Sequence, residues 1–268
     1  MAYASAAGGC QIWYDERGSG EPLLLVSGQA SDHRMWDEVR PSFERRHRVL
    51  VYDHRGTGKS DAPLEPPYSI ELFAADAIAV LDAAGIGRAH IYGISMGGRI
   101  AQRLAIGHPD RVGAVVLGAT SPGDGHGVRR SPEVDAKFRA TQPDERFRML
   151  IDEIYTPEFQ KARPDVVEKF RRSVVLEPPL PEILKLHYLA SQGHEAWEEL
   201  PLITAPVLVI HGTDDTVNPT ANAPLLAERI PAAELYIIGG ARHGYHVERH
   251  PEASEAVLDF LARHPIAA

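Results

Sequence analysis

The chain has 268 residues, and its 28 basic and 37 acidic residues give a formal net charge of −9 at pH 7, which disfavours nucleic acid as a partner. Its single cysteine, Cys10, cannot form an internal disulfide, and we interpret it as a structural residue. The N-terminus lacks the pattern of a signal peptide and no apolar run is long enough to cross a bilayer, so we predict a cytoplasmic protein that binds no membrane.

Short apolar runs alternate with helical patterns, which is typical of βαβ units and a mostly parallel, doubly wound sheet. The alternating run 11–14 precedes the turn 18–20 and predicts an antiparallel edge hairpin. Ser69 can cap a helix over 70–84 that Gly85 ends, and a terminal helix follows Pro251. Buried strands are predicted at 23–26, 49–52, 89–92, 112–117, 207–210 and 235–238.

The strand pattern stops between Thr120 and Pro206, where helix-like segments are punctuated by prolines. We therefore predict a core formed by residues 1–120 and 206–268, with a helical lid insertion at 121–205. An insertion that follows the carboxyl end of a strand would lie over the ligand crevice; a side-mounted helical decoration is the alternative. The candidate pocket walls in it are Phe138, Phe147, Tyr155 and Trp197, whereas His126, His187 and His194 are expected to have solvated or packing roles.

Gly93-Ile94-Ser95-Met96-Gly97 lies between a predicted strand and a predicted helix. In that context G-x-S-x-G forms a nucleophile elbow, a turn so sharp that side chains two residues away on either side would collide. Glycine at both places removes the clashing Cβ atom. The pattern predicts that the Ser95 hydroxyl is presented at the carboxyl end of the strand, where a substrate can reach it.

A serine hydroxyl becomes a useful nucleophile when a base removes its proton, and the base needs a third group to fix its tautomer. His243 lies in a loop of small residues directly after the last predicted strand, which can deliver an imidazole to the same sheet edge as Ser95. His246 and His250 are rivals for this role. The three histidines also suggest metal ligands, but no comparable cluster elsewhere completes a site, so no metal is predicted.

The acid is expected in the loop after the strand at 207–210, where Asp214 and Asp215 are adjacent. Either carboxylate could hold the Nδ1 proton of the histidine, or simply cap the next helix. Spacing alone does not separate the two. For the oxyanion, one donor should be the backbone N–H of Met96, and the other the backbone N–H of Gln29 in the loop after an early strand.

With these residues assembled, the chain resembles the α/β-hydrolase superfamily along nearly its whole length. The stretches that carry the likeness are Ser27-Gly28-Gln29, Asp53 through Ser60, the elbow at Ser95, Pro206 through Asp215, and His243 with Glu248 and Pro251. The resemblance implies an α/β-hydrolase fold. Among its members, the chain is most similar to small bacterial serine esterases and 3-oxoadipate enol-lactonases.

The resemblance also selects among candidates. Members with G-x-x-D-x-x-x-P carry the acid three residues after the glycine, which implies Asp215, and the family's histidine is followed five residues later by glutamate, which implies His243. Haloalkane dehalogenases and soluble epoxide hydrolases carry aspartate at the elbow, so Ser95 argues against both. One departure is Ser27, where many members have histidine, and this change bears on loop hydrogen bonds more than on the Gln29 N–H.

The sequence therefore predicts a serine hydrolase that cleaves a small-molecule carboxylic ester or lactone through an acyl-enzyme, without metal or organic cofactor. Nucleotide binding is not expected, because Gly56-Thr57-Gly58-Lys59-Ser60 lacks the first glycine of a P-loop. The alternatives are a C–C bond hydrolase or cofactor-free perhydrolase with the same triad, and a hydrolase-like ligand receptor. An anionic substrate is compatible with the acidic chain, because Arg55 or Arg99 could act locally.

Overall fold

The computed structural model describes residues 2–65, 67–139 and 142–266. Eight strands lie in these ranges: β1 (Ala2–Ser5), β2 (Gln11–Arg17), β3 (Glu21–Val26), β4 (His47–Tyr52), β5 (Ala89–Ile94), β6 (Val112–Gly118), β7 (Val207–Gly212) and β8 (Glu234–Ile238). They form a sheet in the order β1-β2-β4-β3-β5-β6-β7-β8. Strands β3 to β8 are parallel, whereas β2 is antiparallel to both of its neighbours. The predicted mostly parallel sheet is confirmed.

The predicted edge hairpin through residues 18–20 is wrong in its pairing. Strand β2 pairs with β1 and β4, and β3 lies on the far side of β4. The turn packs against the start of β4, where a Cβ atom on Gly18 would lie 2.3 Å from the carbonyl oxygen of His47. Between β2 and β3 the chain therefore crosses the end of the sheet next to β4, and β3 begins on the far side of β4. The hairpin partner of β2 is β1. With only four residues, most of them small, β1 gives no strand signal in the sequence.

The helices are α1 (Arg40–Glu44), α2 (Ile70–Ala83), α3 (Met96–Gly107), α4 (Pro132–Arg139), α5 (Pro143–Ile154), α6 (Pro157–Ala162), α7 (Pro164–Arg171), α8 (Pro181–Gln192), α9 (Asn222–Arg229), α10 (Tyr245–Glu248) and α11 (Glu252–Arg263). The predicted cap of α2 is present, because Ser69 Oγ accepts a hydrogen bond from the N–H of Leu72 at 3.1 Å. Within the described ranges, no helix combines the length and apolarity that a membrane crossing requires.

Apolar side chains cover both faces of the sheet, as parallel strands require. Along β3, Leu24 joins the cluster under α2, α3 and α9, whereas Leu23 and Leu25 join the cluster under α1 and α11. Cys10 belongs to the first cluster, and burial raises the pKa of its thiol. The low thiolate fraction that follows agrees with the structural role predicted for Cys10.

A helical insertion, α4 to α8, separates β6 from β7. Each of these helices begins with a proline, whose fixed φ suits the first helical turn. The insertion packs on both sides of the sheet: Ile151 and Tyr155 join the cluster under α1 and α11, whereas Ile183 and Ala190 join the other. It therefore bridges the two faces of the core, which a helical decoration mounted on one side would not do.

Candidate active site

The elbow at Ser95 has the geometry that its glycines predict. Ser95 has φ 59° and ψ −119°, in the left-handed region that a non-glycine residue rarely adopts. A Cβ atom on Gly93 would lie 2.1 Å from the carbonyl oxygen of Gly97, and one on Gly97 would lie 2.1 Å from that of Val26. Both glycines are therefore required on steric grounds, the first by the turn itself and the second by the neighbouring strand β3.

Backbone and side-chain contacts fix the Ser95 position. Its N–H donates to the carbonyl of Gly118 at 2.9 Å, and its carbonyl accepts from the Thr120 hydroxyl at 2.7 Å. The side-chain amide of Asn218 donates to Ala119 O at 2.7 Å and to Ser95 Oγ at 3.4 Å. Sequence reasoning missed Asn218, although its place in the loop after β7 was a usable signal.

A buried carboxylate–imidazole pair lies in the loops after β7 and β8. His243 Nδ1 is 2.8 Å from Asp215 Oδ2, while Asp215 Oδ1 accepts the N–H groups of Val217 and Asn218 at 2.9 and 3.0 Å. Burial disfavours the charged carboxylate, but electrostatic interaction with His243 and hydrogen bonds from His211 and His243 outweigh this, and they hold the pKa of Asp215 well below its usual range. The carboxylate is therefore ionised and able to keep the proton on Nδ1.

The other candidates for acid and base lie elsewhere. Asp214 is exposed, and its carboxylate accepts from the Thr213 hydroxyl at 2.8 Å. His246 packs its ring 5.5 Å from that of Trp36, and burial lowers its pKa to about 3. His250 is bonded to Ser254 Oγ at 3.0 Å. Among the adjacent aspartates, only Asp215 makes the contact with His243 that the predicted acid needs.

Ser95 and His243 line the same cavity, but no hydrogen bond joins them in the described part of the chain. With Nδ1 engaged by Asp215, the free nitrogen of the imidazole is Nε2. Catalytic hydrogen bonds in empty sites are often long and shorten when substrate binds. The site thus holds a fixed imidazole beside the serine, and we expect the distance between them to shorten when substrate binds.

The predicted oxyanion donors lie around the elbow. Met96 is the first residue of α3, so its N–H has no acceptor within the helix. Gln29 lines the cavity together with Ser95, and the adjacent Gly28 approaches the serine so closely that a Cβ atom on it would lie 3.5 Å from Ser95 Cβ. The Met96 N–H at the start of α3 and the Gln29 N–H in the loop after β3 therefore flank the serine, as an oxyanion hole requires.

A buried histidine of the insertion, His187, fixes the loop after β3 that carries Gln29, the predicted oxyanion donor. His187 Nδ1 accepts from the N–H of Ala30 at 3.3 Å, and its Nε2 donates to the carbonyl of Arg55 at 2.9 Å. Burial lowers the pKa of His187 to about 3, so the ring is neutral and can act as acceptor and donor at once. The expected packing role of His187 is confirmed, and it connects α8 directly to the residue after Gln29.

A cavity of about 310 Å³ opens in front of Ser95 and His243, and the insertion supplies much of its wall. Two of the four predicted wall residues, Phe138 and Tyr155, line it. The prediction is wrong for the other two. Phe147 packs its ring 6.0 Å from that of Phe170, and Trp197 stacks on the partly exposed His126 at 5.2 Å. Helix packing within the insertion, which a periodic pattern does not reveal, turns both rings away.

The two arginines expected to meet an anionic substrate are engaged elsewhere. Arg55 is buried in an ion pair with Asp76 at 2.5 Å. Arg99 donates to the carbonyl of Ser191 and to the Ser121 hydroxyl, and it lies 3.6 Å from Asp124. Neither lines the cavity that contains Ser95 among the described residues. The suggestion that one of them acts on a substrate is therefore not supported.

Two groups of carboxylates and imidazoles are close enough to share a metal ion: Glu21 with His47 and His90, and Asp32 with His33 and Asp53. The second group is already used internally. Asp53 Oδ1 accepts the N–H of His33 at 2.8 Å, and Asp32 holds the guanidinium of Arg34. These contacts account for the carboxylates of the second group as loop-fixing groups. In the first group, Glu21 accepts the N–H of Ile266 at 2.7 Å and His90 Nδ1 accepts that of Ala114 at 2.9 Å. We assign no metal to either group.

Comparisons with known proteins agree with this fold. Residues 21–249 match the family model described as alpha/beta hydrolase fold. "Putative carbamate hydrolase RutD" of Azorhizobium caulinodans is 30% identical over 262 residues, covering 97% of this chain and 98% of that protein. The 2-hydroxymuconate semialdehyde hydrolase of Pseudomonas sp. strain CF600 is also 30% identical, covering 98% and 94%. The crystal structure of the enol-lactonase from Burkholderia xenovorans LB400 superimposes with a TM-score of 0.86 at 28% identity, covering 97% and 99%.

Proposed function

The chain belongs to the alpha/beta hydrolase family, and from that premise we propose that it is a serine hydrolase of carboxylic esters or lactones. The observation that carries the proposal is the buried pair of His243 Nδ1 and Asp215 Oδ2, 2.8 Å apart, beside the strained elbow at Ser95. A receptor pocket has no need of an ionised carboxylate that fixes one histidine tautomer next to a serine. A hydrolase does.

In the proposed acylation step, His243 Nε2 removes the proton of Ser95 Oγ as that oxygen attacks the substrate carbonyl carbon. Asp215 keeps the Nδ1 proton in place and stabilises the imidazolium that forms. The N–H groups of Met96 and Gln29 donate to the oxyanion. When the tetrahedral intermediate collapses, the carbon–oxygen bond to the leaving group breaks and His243 gives its proton to the departing alkoxide.

Deacylation repeats the sequence with water as the nucleophile. His243 takes a proton from water as the water oxygen attacks the acyl carbonyl, and then returns the proton to Ser95 Oγ as the ester bond breaks. Atoms and charges balance with the substrate and one water molecule. The proposed steps require neither a metal nor an organic cofactor.

Residues 121–205 are proposed to act as a lid over a core formed by 1–120 and 206–268. Support comes from the cavity wall, because Leu150, Tyr155 and Phe170 of the insertion line the same space as Ser95. The lid is also tied to the catalytic loops: the N–H of Gly244 donates to Ile154 O at 2.8 Å. A lid held in this way excludes water while it selects the acyl or alcohol group.

Hydrolysis of a C–C bond by the same triad is the second candidate. It is favoured by the likeness to the 2-hydroxymuconate semialdehyde hydrolase, which spans nearly the whole chain. The likeness to the enol-lactonase favours esters and lactones. A panel of p-nitrophenyl esters, lactones, carbamates and vinylogous diketones, assayed side by side with peroxide-dependent halogenation, separates these reactions.

The decisive test compares Ser95→Ala with the parent protein on p-nitrophenyl acetate. The variant should lose turnover to within background, because no other group can form the acyl-enzyme. Ser173→Ala is the matched control, since Ser173 also lines the cavity but its hydroxyl donates to Phe170 O at 2.8 Å. Parental activity in Ser95→Ala would overturn the proposal.

A further inference from the structure

One cation in the cavity wall has no partner among the residues that the structure describes. Arg146 lies on α5 and lines the cavity that contains Ser95, yet its side chain is only 9% exposed. Within residues 2–65, 67–139 and 142–266, its guanidinium makes no ion pair, side-chain hydrogen bond or ring contact, and only its backbone N–H is bonded, to Gln142 O at 2.8 Å. None of the guanidinium nitrogens is among the fully buried atoms that lack a partner in the described part of the chain, so these N–H donors are open to the cavity and available to a ligand.

The other cations of this wall are neutralised. Arg34 is bonded to Asp32 and to Glu177, and Lys169 is bonded to Glu38. Arg172 lies 3.6 Å from Glu177 at the same cavity. Arg146 therefore differs from every other charged lysine or arginine lining the described cavity, since those have carboxylates of the chain within ion-pair distance.

One carboxylate of the wall also lacks an ion pair and has to be considered as a partner for Arg146. Asp37 lines the cavity, but the charges that act on it are those of His33, Lys169, Asp32 and Arg40. Burial alone accounts for the lowered pKa of Arg146, so no nearby carboxylate offsets it. Asp37 therefore does not neutralise Arg146.

Leaving a charged group buried without a partner costs stability, and proteins normally pair such a group or replace it. An arginine that faces a cavity without a partner is therefore poised for an anion supplied by the ligand. Its planar fork of N–H donors matches the two oxygens of a carboxylate. A phosphate dianion would call for a second free cation, and the neighbouring cations are already paired.

The helix sets the separation between this cation and the catalytic end of the cavity. Arg146, Leu150 and Ile154 lie at i, i+4 and i+8 on α5, and all three line the cavity. Ile154 contacts the histidine loop, because its carbonyl accepts the N–H of Gly244. The eight residues from 146 to 154 correspond to about 12 Å along the helix axis. The apolar side chains of Leu150 and Ile154 line the cavity between the Arg146 cation and the catalytic end.

We propose that Arg146 is a specificity-determining residue that binds a carboxylate at the far end of the substrate, so that the favoured ester or lactone is a monoanion with an apolar segment between its reacting carbonyl and its carboxylate. The inference rests on the proposed function and narrows it to one substrate class. The carboxylate binds Arg146 through paired hydrogen bonds, and the scissile carbonyl lies at Ser95. Arg146 takes no part in the bond changes.

The test compares three pairs of p-nitrophenyl esters: the mono-p-nitrophenyl esters of adipate, suberate and sebacate, each with its distal carboxylate free or capped as the neutral methyl ester. The parent protein should prefer at least one carboxylate over its capped form in kcat/KM. In Arg146→Met that preference should fall about tenfold to hundredfold, mainly through KM, because a hydrogen bond to a charged group is lost. Arg146→Lys should restore part of it.

Arg148 provides the matched control, because it lies two residues further along α5 and is exposed. Arg148→Met removes the same charge from the same helix and should keep the parental preference. No preference for the carboxylate in the parent protein, or equal losses in Arg146→Met and Arg148→Met, would overturn the proposal. Melting temperatures show whether Arg146→Met is folded; we expect them to rise, because a buried unpaired charge is removed.

Failure of this inference can be told from failure of the proposed function. If the parent protein hydrolyses neutral esters without any preference for carboxylates, the hydrolase proposal stands and the anion site falls. If it hydrolyses none, binding of the monomethyl esters of adipate, suberate and sebacate, which are monoanions, is measured by thermal shift in the Ser95→Ala variant. A shift that requires Arg146 supports the anion site without any chemistry, and no shift overturns it.

Discussion

The sheet core and the helical insertion use charge in opposite ways. In the core, Asp215 accepts hydrogen bonds from two backbone N–H groups and from the imidazoles of His211 and His243, and Arg55 is paired with Asp76. In the insertion, Arg146 lines the cavity with no partner in the described structure. The catalytic carboxylate of the core therefore has its partners before any substrate arrives, whereas the insertion leaves the cavity-lining guanidinium of Arg146 to be paired by the ligand.

This difference suggests how chemistry and selectivity are divided. A preorganised core lowers the barrier for any acyl group that reaches Ser95, because its dipoles need no rearrangement during the reaction. An insertion with an unmatched cation favours some acyl groups over others through binding. Substitutions in the core should therefore lower kcat for every substrate, and substitutions in the insertion should change the ranking of substrates.

Asp215→Asn should give the largest effect and tests the core half of the comparison. An amide can leave the imidazole in the wrong tautomer and cannot stabilise the imidazolium, so kcat should fall by about 10³- to 10⁴-fold for all substrates. Steady-state kinetics on p-nitrophenyl acetate measures it. The neighbouring Asp214→Asn serves as control, because that carboxylate is exposed, and it should keep parental kcat. A loss in both variants would contradict the assigned acid.

Lowering the pH should weaken the contact between the two regions. Burial lowers the pKa of His54 to about 4 and those of His187 and His246 to about 3, from an ordinary value of 6.5. The folded protein keeps these rings neutral while the unfolded chain protonates them. The stability is fully present above pH 6.5 and is lost as pH falls towards 4, by about 1.4 kcal/mol per pH unit for each ring.

Urea unfolding at pH 7.5, 6.5 and 5.5 measures this dependence as the free energy of unfolding. A curve that stays flat across this range would contradict the neutral buried rings. His126→Ala supplies the comparison, because His126 stacks on Trp197 at the surface and lies outside the buried set. It should leave the slope against pH as it is in the parent.

Leu150→Ala tests the role of the helical insertion in selecting substrates. Leu150 is buried and lines the cavity on α5, so its truncation enlarges the space available to an acyl chain. The ratio of kcat/KM for p-nitrophenyl octanoate to that for the acetate should rise about tenfold, since a few methylenes in an apolar pocket are worth that much. Met149→Ala, on the exposed side of the same helix, should keep the parental ratio. Equal changes in the two variants would remove Leu150 from the pocket wall.

Asn218→Ala should have the smallest effect. The amide donates weakly to Ser95 Oγ at 3.4 Å and more strongly to Ala119 O at 2.7 Å, so it orients the serine without moving protons. We expect kcat to fall about twofold to tenfold, the value of one neutral hydrogen bond. Asn222→Ala, whose side chain bonds Val128 and Pro219 instead, should leave kcat as in the parent. Unchanged kcat in both variants would show that Asn218 has only a packing role.

The sequence predicts the core far better than the insertion, for a physical reason. The strands carry runs of apolar residues, and the elbow, the acid loop and the histidine loop each follow a strand directly. Parallel strands end at one sheet edge, so local patterns suffice to bring Ser95, His243 and the loop with Asp214 and Asp215 to one place. The choice of Asp215 over Asp214 comes from the family resemblance. The predicted hairpin failed where the order of neighbouring strands depends on a turn packing against a strand, a contact that the pattern does not contain.

The insertion could be recognised from its length and prolines, but its inner face could not. Phe138 and Phe147 have the same character in the sequence, and helix packing alone decides that the first lines the cavity while the second packs on Phe170. Arg146 is hidden for a stronger reason. Arg146 differs from the other arginines of the cavity wall because no carboxylate of the described residues lies within ion-pair distance of it. Only the folded structure shows which carboxylates lie near an arginine.

The proposed mechanism depends most on Ser95 being the residue that becomes acylated, and a fluorophosphonate label tests this directly. Peptide mass mapping after labelling should find one adduct per chain, on Ser95, and labelling should slow sharply in His243→Ala because the base is gone. A protein that hydrolyses esters while its label lies on another residue, or that is labelled equally fast without His243, would contradict the account.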